Sequence, residues 1–130
     1  MIERFAIDSS AAVDVLRAGT PPPQLLSDHH VFLPLPVAGE LFAGAFSTQR
    51  PSQHLQLVEI LITKCTLLAS DYATAQIYGQ LRAQLGTARP ITASKTNDLW
   101  IAALCLQHEL PLLTNDRGFD FIRGLTVIHW

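Results

Sequence analysis

Phe5-Ala6-Ile7-Asp8-Ser9-Ser10 is the stretch on which the fold turns. Phe5 to Ile7 forms the core of a short apolar run that stops at a carboxylate, and a helical stretch, Ser10 to Ala18, follows at once. The same succession recurs down the chain. Pro21, Pro22 and Pro23 break it, and a short segment around Gln24 to Ser27 leads to a second expected strand, Val31 to Leu33, closed by Pro34 and Pro36. A helix is expected from Pro36 to about Phe46, because proline is tolerated where the first N–H groups of a helix lack partners anyway. Ser52 is the expected N-cap of the next helix, to about Ile62, with Leu55, Val58, Leu61 and Ile62 on one face.

Cys65 to Leu68 has the look of a third strand, and Ser70 or Asp71 caps a helix that reaches Leu85 and stops at Gly86. Asp98 to Leu106 is apolar all round, the mark of a helix buried on several sides. Leu112-Leu113, a short helical Phe119 to Ile122 and a last strand, Leu125 to Ile128, complete the pattern. Short apolar strands alternating with helices define an α/β domain built on a mostly parallel sheet.

At 130 residues this is a single domain, and 48% hydrophobic against 15% charged residues excludes a disordered tail. A net charge of -2 and a pI near 6.2 exclude a general basic coat for nucleic acid, though not a local basic patch. Cys65 and Cys105 form no CxxC pair, which excludes a disulfide scaffold or thiolate zinc knuckle and suits a reducing cytoplasm. Residues 1–10 lack the apolar run of a signal peptide, and no stretch approaches the ~20 residues of a membrane span. A soluble cytoplasmic domain is expected.

Only 11 residues are acidic, and four of them keep apolar company. Asp8 and Asp116 follow apolar strands, Glu40 sits within VAGELFAGA, and Asp98 heads the most apolar helix. In open parallel sheets ligands bind beyond the carboxyl ends of the strands. A helix cap or a surface arginine would explain any one of these acids; four at compatible places point to a shared site. Two carboxylates ~5 Å apart repel by roughly 3 kcal/mol at an effective dielectric constant near ~20, so such a cluster needs a counter-charge. An all-oxygen site suits Mg²⁺ or Mn²⁺ better than zinc. Other signals fall away. Gly39 and Gly44 lack the Lys and Ser/Thr of a P-loop, no GxSxG elbow exists, His29-His30 has no ligand-spaced partner, and Trp100 within LWIAAL is expected in the core.

Ile7-Asp8-Ser9-Ser10, Val37-Ala38-Gly39-Glu40-Leu41, Asn97-Asp98-Leu99-Trp100-Ile101-Ala102-Ala103 and Leu113-Thr114-Asn115-Asp116, with Tyr78-Gly79-Gln80-Leu81-Arg82-Ala83, occur in an order that resembles the PIN-domain ribonucleases. The resemblance is to VapC-type toxins of bacterial toxin–antitoxin pairs, and it covers essentially the whole chain. It implies a three-layer α/β/α sandwich around a short parallel sheet, usually as a homodimer. It also implies that Asp8, Glu40, Asp98 and Asp116 are the catalytic and metal-binding acids, with Ser9, Asn97 and Thr114 in support. The implied chemistry is hydrolysis of RNA phosphodiester bonds with Mg²⁺ or Mn²⁺, through one ion or two. The implied protein partner is an antitoxin that blocks the acidic site, often with a basic side chain.

One departure is Gly118, which stands where many relatives carry a further acid; Asp120 then becomes a surface acid or helix-end residue. Arg50, Arg82, Arg89, Lys95 and Arg117 are the cations available to hold an RNA backbone. The alternative is a PIN-fold RNA-binding or scaffold protein without turnover. A phosphoryl-transfer domain fits less well, because Ser9 and Ser10 follow Asp8 where a second acid belongs.

Overall fold

The computed structural model describes residues 3–18, 28–86 and 93–129. The expected segment around Gln24 to Ser27 lies outside the described residues. The strands are β1 (Arg4–Ile7), β2 (His30–Pro34), β3 (Thr66–Leu68), β4 (Leu112–Leu113) and β5 (Val127–Ile128). They form one parallel sheet in the order β3-β2-β1-β4-β5. Ala6 lies opposite both Phe32 and Leu112, and Ile7 opposite Leu113. Phe5, Ala6, Ile7, Val31, Phe32 and Leu33 are all buried, so β1 and β2 are covered on both faces. That is why these strands are continuously apolar rather than alternating.

The helices are α1 (Ser9–Ala18), α2 (Leu35–Phe46), α3 (Pro51–Thr63), α4 (Tyr72–Leu85) and α5 (Ala93–Gln107), with a 3-10 helix at Arg117–Phe121. α4 packs on α5, while α1, α2 and α3 pack together and α2 also meets α5. The result is a three-layer α/β/α sandwich. Ile101 to Cys105 are fully buried, as an all-apolar helix requires.

Several boundaries differ from the sequence reading, each for a local reason. α1 begins at Ser9 rather than Ser10, because the residue that caps it is Asp8. α2 begins at Leu35, with Pro36 inside its first turn. α3 begins at Pro51 and its N-cap is Arg50, not Ser52, since proline's fixed φ starts a helix without losing a bonded N–H. α5 begins at Ala93, so Asp98 sits inside it rather than at its head; the polar residues 94–98 hid the first turn. β3 starts at Thr66, the 3-10 helix starts at Arg117, and the last strand is only Val127–Ile128. Trp100 is half-buried instead of enclosed in the core, stacked on Tyr78 with ring centroids 4.2 Å apart and planes 11° from parallel.

Of the two candidate caps for α4, Asp71 is the one used. Its Oδ1 accepts from the Thr74 N–H at 3.1 Å, while Thr74 Oγ1 accepts from the Asp71 N–H at 3.0 Å. Gln107 at the end of α5 donates to the same Oδ1 at 2.9 Å, tying the two helices together. These contacts, the Thr74 N–H foremost and Gln107 next, hold the Asp71 carboxyl below its ordinary range. A lowered carboxyl adds stability above the unfolded-state value near ~3.9 and loses it as pH falls through the folded value. Asp71→Asn keeps the cap acceptor and removes the charge. Its thermal midpoint should lie below the parent's at neutral pH, and the gap should close on acidification, as followed by circular dichroism.

Candidate active site

β1 and β4 are neighbours, so their carboxyl ends open on the same edge of the sheet. Asp8 follows β1 and is only 5% exposed, an unusual place for an acid. Its Oδ1 accepts from the Ala11 N–H at 3.1 Å, capping α1, and from the Ser10 hydroxyl at 2.7 Å. Its Oδ2 accepts from the Thr114 hydroxyl, which arrives from the end of β4. Thr114 is wholly buried, and the same hydroxyl oxygen accepts from the Asp116 N–H at 2.9 Å. Asn115 closes the link by donating its N–H to Ser10 Oγ at 3.1 Å.

Glu40 enters from α2. The Ser9 hydroxyl donates to its Oε2, and Asn97 Nδ2 on α5 donates to its Oε1 at 3.3 Å. Asp116 caps the 3-10 helix, its Oδ1 accepting from the Gly118 N–H at 2.8 Å. The structure thus joins Asp8, Thr114 and Asp116 in one network, and Ser9, Glu40 and Asn97 in another that starts one residue further along the chain. Asp98, half-buried on α5, follows Asn97 directly. Capping accounts for part of what Asp8 and Asp116 do, and in Asp8 the second oxygen reaches across the sheet as well.

Among the described residues, no three His, Cys, Asp or Glu side chains are gathered so as to hold an ion. The donors present are nevertheless all oxygens, carboxylates with hydroxyls between them, and in kind they fit a hard divalent cation. Ser10 was not singled out from sequence as a supporting residue. The signal was there: a serine two residues after an Asp that opens a helix can return its hydroxyl to that carboxylate. Asp120 is more than a surface acid, since it meets both His129 and Arg117. Among the expected RNA contacts, Arg82 donates to the Tyr78 hydroxyl at 2.9 Å, and Arg117 lies 3.8 Å from Asp120. Arg50 is exposed. Arg89 and the side chain of Lys95 lie outside the described residues.

Cys105 is fully buried, and burial followed by the nearby negative charge of Asp8 pushes its thiol up to about 12. Burial pushes the Cys65 thiol up to about 11. Both are thiols at neutral pH, and neither is a nucleophile.

With this geometry in hand, likeness to known proteins becomes informative. The family model for the PIN domain matches residues 5–125. A tRNA(fMet)-specific endonuclease VapC from Shigella flexneri is 32% identical over 93 residues, 70% of this chain and 68% of that one. Ribonuclease VapC1 from Haemophilus influenzae strain R2866 is 30% identical over 109 residues, 82% of this chain and 79% of its own. In fold, the chain superposes on VapBC2 from Rickettsia felis, bound to a DNA fragment from its promoter, with a TM-score of 0.85 at 20% identity, covering 98% of each chain. DNA-bound VapBC from Salmonella typhimurium gives 0.84 at 24% identity, covering 100% of this chain and 99% of that one. The protein belongs to the PIN-domain family and is of the VapC type.

Two outcomes follow from the site's geometry. Thr114→Val removes a donor from the buried Asp8 carboxylate and an acceptor from the Asp116 N–H; urea denaturation should show a loss of about 1–3 kcal/mol. With both thiols protonated, Ellman's reagent at pH 8 should leave Cys105 unlabelled in the folded protein and label both cysteines once guanidinium unfolds it.

Proposed function

We propose that this protein is a metal-dependent endoribonuclease and the toxin of a toxin–antitoxin pair. The observation that carries this reading is the buried Asp8 carboxylate, shared between the ends of β1 and β4, with the next residue, Ser9, bonded to the Glu40 carboxylate. Support comes from the relatives, whose names describe a tRNA(fMet)-specific endonuclease and a ribonuclease.

Asp8, Glu40, Asp98 and Asp116 would hold Mg²⁺ or Mn²⁺. Such an ion polarises a phosphoryl oxygen and lowers the pKa of bound water. The chain's own part is to orient and to move a proton. Ser10 and Thr114 fix the two oxygens of Asp8, and Ser9 and Asn97 fix those of Glu40. A carboxylate held this way is placed to accept the proton of an attacking water. Arg82, Arg89, Lys95 and Arg117 are the cations proposed to meet the RNA backbone.

The antitoxin reading rests on a groove of about 450 Å³ between α1, α2 and α3, lined by Leu16, Arg17, Glu40, Leu41, Leu57 and Val58 among others. Its walls are mostly apolar, and Glu40 is among the residues that line it. An amphipathic segment carrying a cation at its tip fits both features, and the cation would compete for the carboxylates.

The test is cleavage of a mixed cellular RNA pool by antitoxin-free protein with Mg²⁺, with Mn²⁺ and with chelator, beside Asp98→Asn. Discrete fragments that require the metal and vanish in the variant are expected. Binding without cleavage in either metal would replace this reading with the RNA-binding or scaffold alternative, and cleavage that survives Asp98→Asn would remove that acid from the site.

A further inference from the structure

Thr114 is held at both ends. Its hydroxyl lies on Asp8, and its backbone carbonyl faces the ring of His129, whose Nδ1 is 2.7 Å away. A carbonyl oxygen only accepts, so Nδ1 carries the proton of this bond. The other ring nitrogen, Nε2, lies 2.8 Å from Asp120 Oδ1, and the His129 side chain is only 20% exposed. β4 and β5 are two residues each, and their ladder brings the Thr114 N–H to the Ile128 carbonyl at 2.9 Å. The imidazole extends that ladder with a side-chain bond to the same threonine.

The contacts close a ring. From Thr114 the chain runs to Asp116, which caps the 3-10 helix; that helix carries Asp120, and Asp120 returns through His129 to Thr114. Every bond in the ring fixes where Thr114 and Asp116 stand relative to Asp8. Asp120 has a second partner in Arg117 at 3.8 Å, but that guanidinium is 78% exposed and contributes little.

We propose that His129, oriented by Asp120, is a positioning residue for the carboxylate site, acting through the Thr114 carbonyl to keep the Thr114 hydroxyl on Asp8 and the Asp116 N–H on Thr114. The proposal builds on the nuclease reading for its kinetic consequence, though the positioning itself does not depend on turnover. Groups that orient the holders of an ion commonly change metal affinity or activity about 10–100-fold when lost.

The experiment compares the parent with His129→Ala, His129→Asn and Asp120→Asn in three readouts. An asparagine amide offers an N–H near the position of Nδ1, so His129→Asn is the conservative rescue. In RNA cleavage, His129→Ala should lower kcat about tenfold with KM within about twofold, and His129→Asn should recover most of the loss. In calorimetric titration with Mn²⁺ alone, the alanine variant should bind several-fold more weakly. In amide hydrogen exchange, the Asp116 N–H should lose protection while amides of α3 keep theirs.

Unchanged kcat, Mn²⁺ affinity and Asp116 exchange in His129→Ala would overturn the proposal. Equal defects in the alanine and asparagine variants would overturn the role of the Nδ1 bond. Asp120→Asn that matches the parent in all three readouts would remove Asp120 from it. Should the parent neither cleave RNA nor bind Mn²⁺, the nuclease reading falls, and the exchange of the Asp116 amide decides the positioning role alone.

Discussion

The bond between the Asp8 carboxylate and the Thr114 hydroxyl is the constraint on which the rest of the molecule depends. An acid buried to 5% exposure carries a desolvation cost of several kcal/mol. Three donors offset it: a helix-end amide, a serine two residues on and a threonine from the end of a different strand. Bonds to a charged group are worth about 1.5–3 kcal/mol each, so three of them meet a cost of that order. Each donor also imposes geometry. The amide sets where α1 begins, the serine ties down the turn at Asn115, and the threonine fixes the register of β4 against β1.

Sheet order then determines what else arrives at this edge. β1 lies in the middle of the sheet, between β2 and β4, so the helices that follow those strands' ends converge near Asp8. α2 leaves the end of β2 at once and carries Glu40 within its second turn. α5 packs against α2 and presents Asn97 to the same glutamate. Glu40 and Asp98 therefore stand on helices fixed by core packing, while Asp8 and Asp116 stand in short connections directly after β1 and β4, tied down by the helix ends they cap.

The strands and the cap of α4 were legible in the sequence, and the starts of α3 and α5 were not. Phe5 to Ile7, Val31 to Leu33 and Leu112-Leu113 stand out because both faces of a parallel strand are buried, leaving no polar residue to blur the run. Asp8, Glu40 and Asp116 stood out for the converse reason, as charges in apolar surroundings. The beginnings of α3 and α5 were missed because Pro51 and residues 94–98 contribute no apolar periodicity. Trp100 was misplaced because its neighbours are core residues, whereas its own ring lies on Tyr78. Ser10 carries a local signal, its place two residues after the Asp8 that caps α1. His129 had none: its meaning comes only from a carbonyl and a carboxylate that the fold brings to it.

The separation of the bonded residues bears on biosynthesis. Asp8 and Thr114 are 106 positions apart, and the strand that completes the ladder beside Thr114 lies later still. A ribosome adds about 5–20 residues per second, and the amino-terminal part of a chain emerges first. Asp8 therefore spends several seconds outside the ribosome before its partner from β4 exists. During that interval the nascent chain has the first acid but neither Thr114 nor Asp116 to set beside it. The carboxyl-terminal edge shared by β1 and β4 is thus completed only after most of the chain has been made.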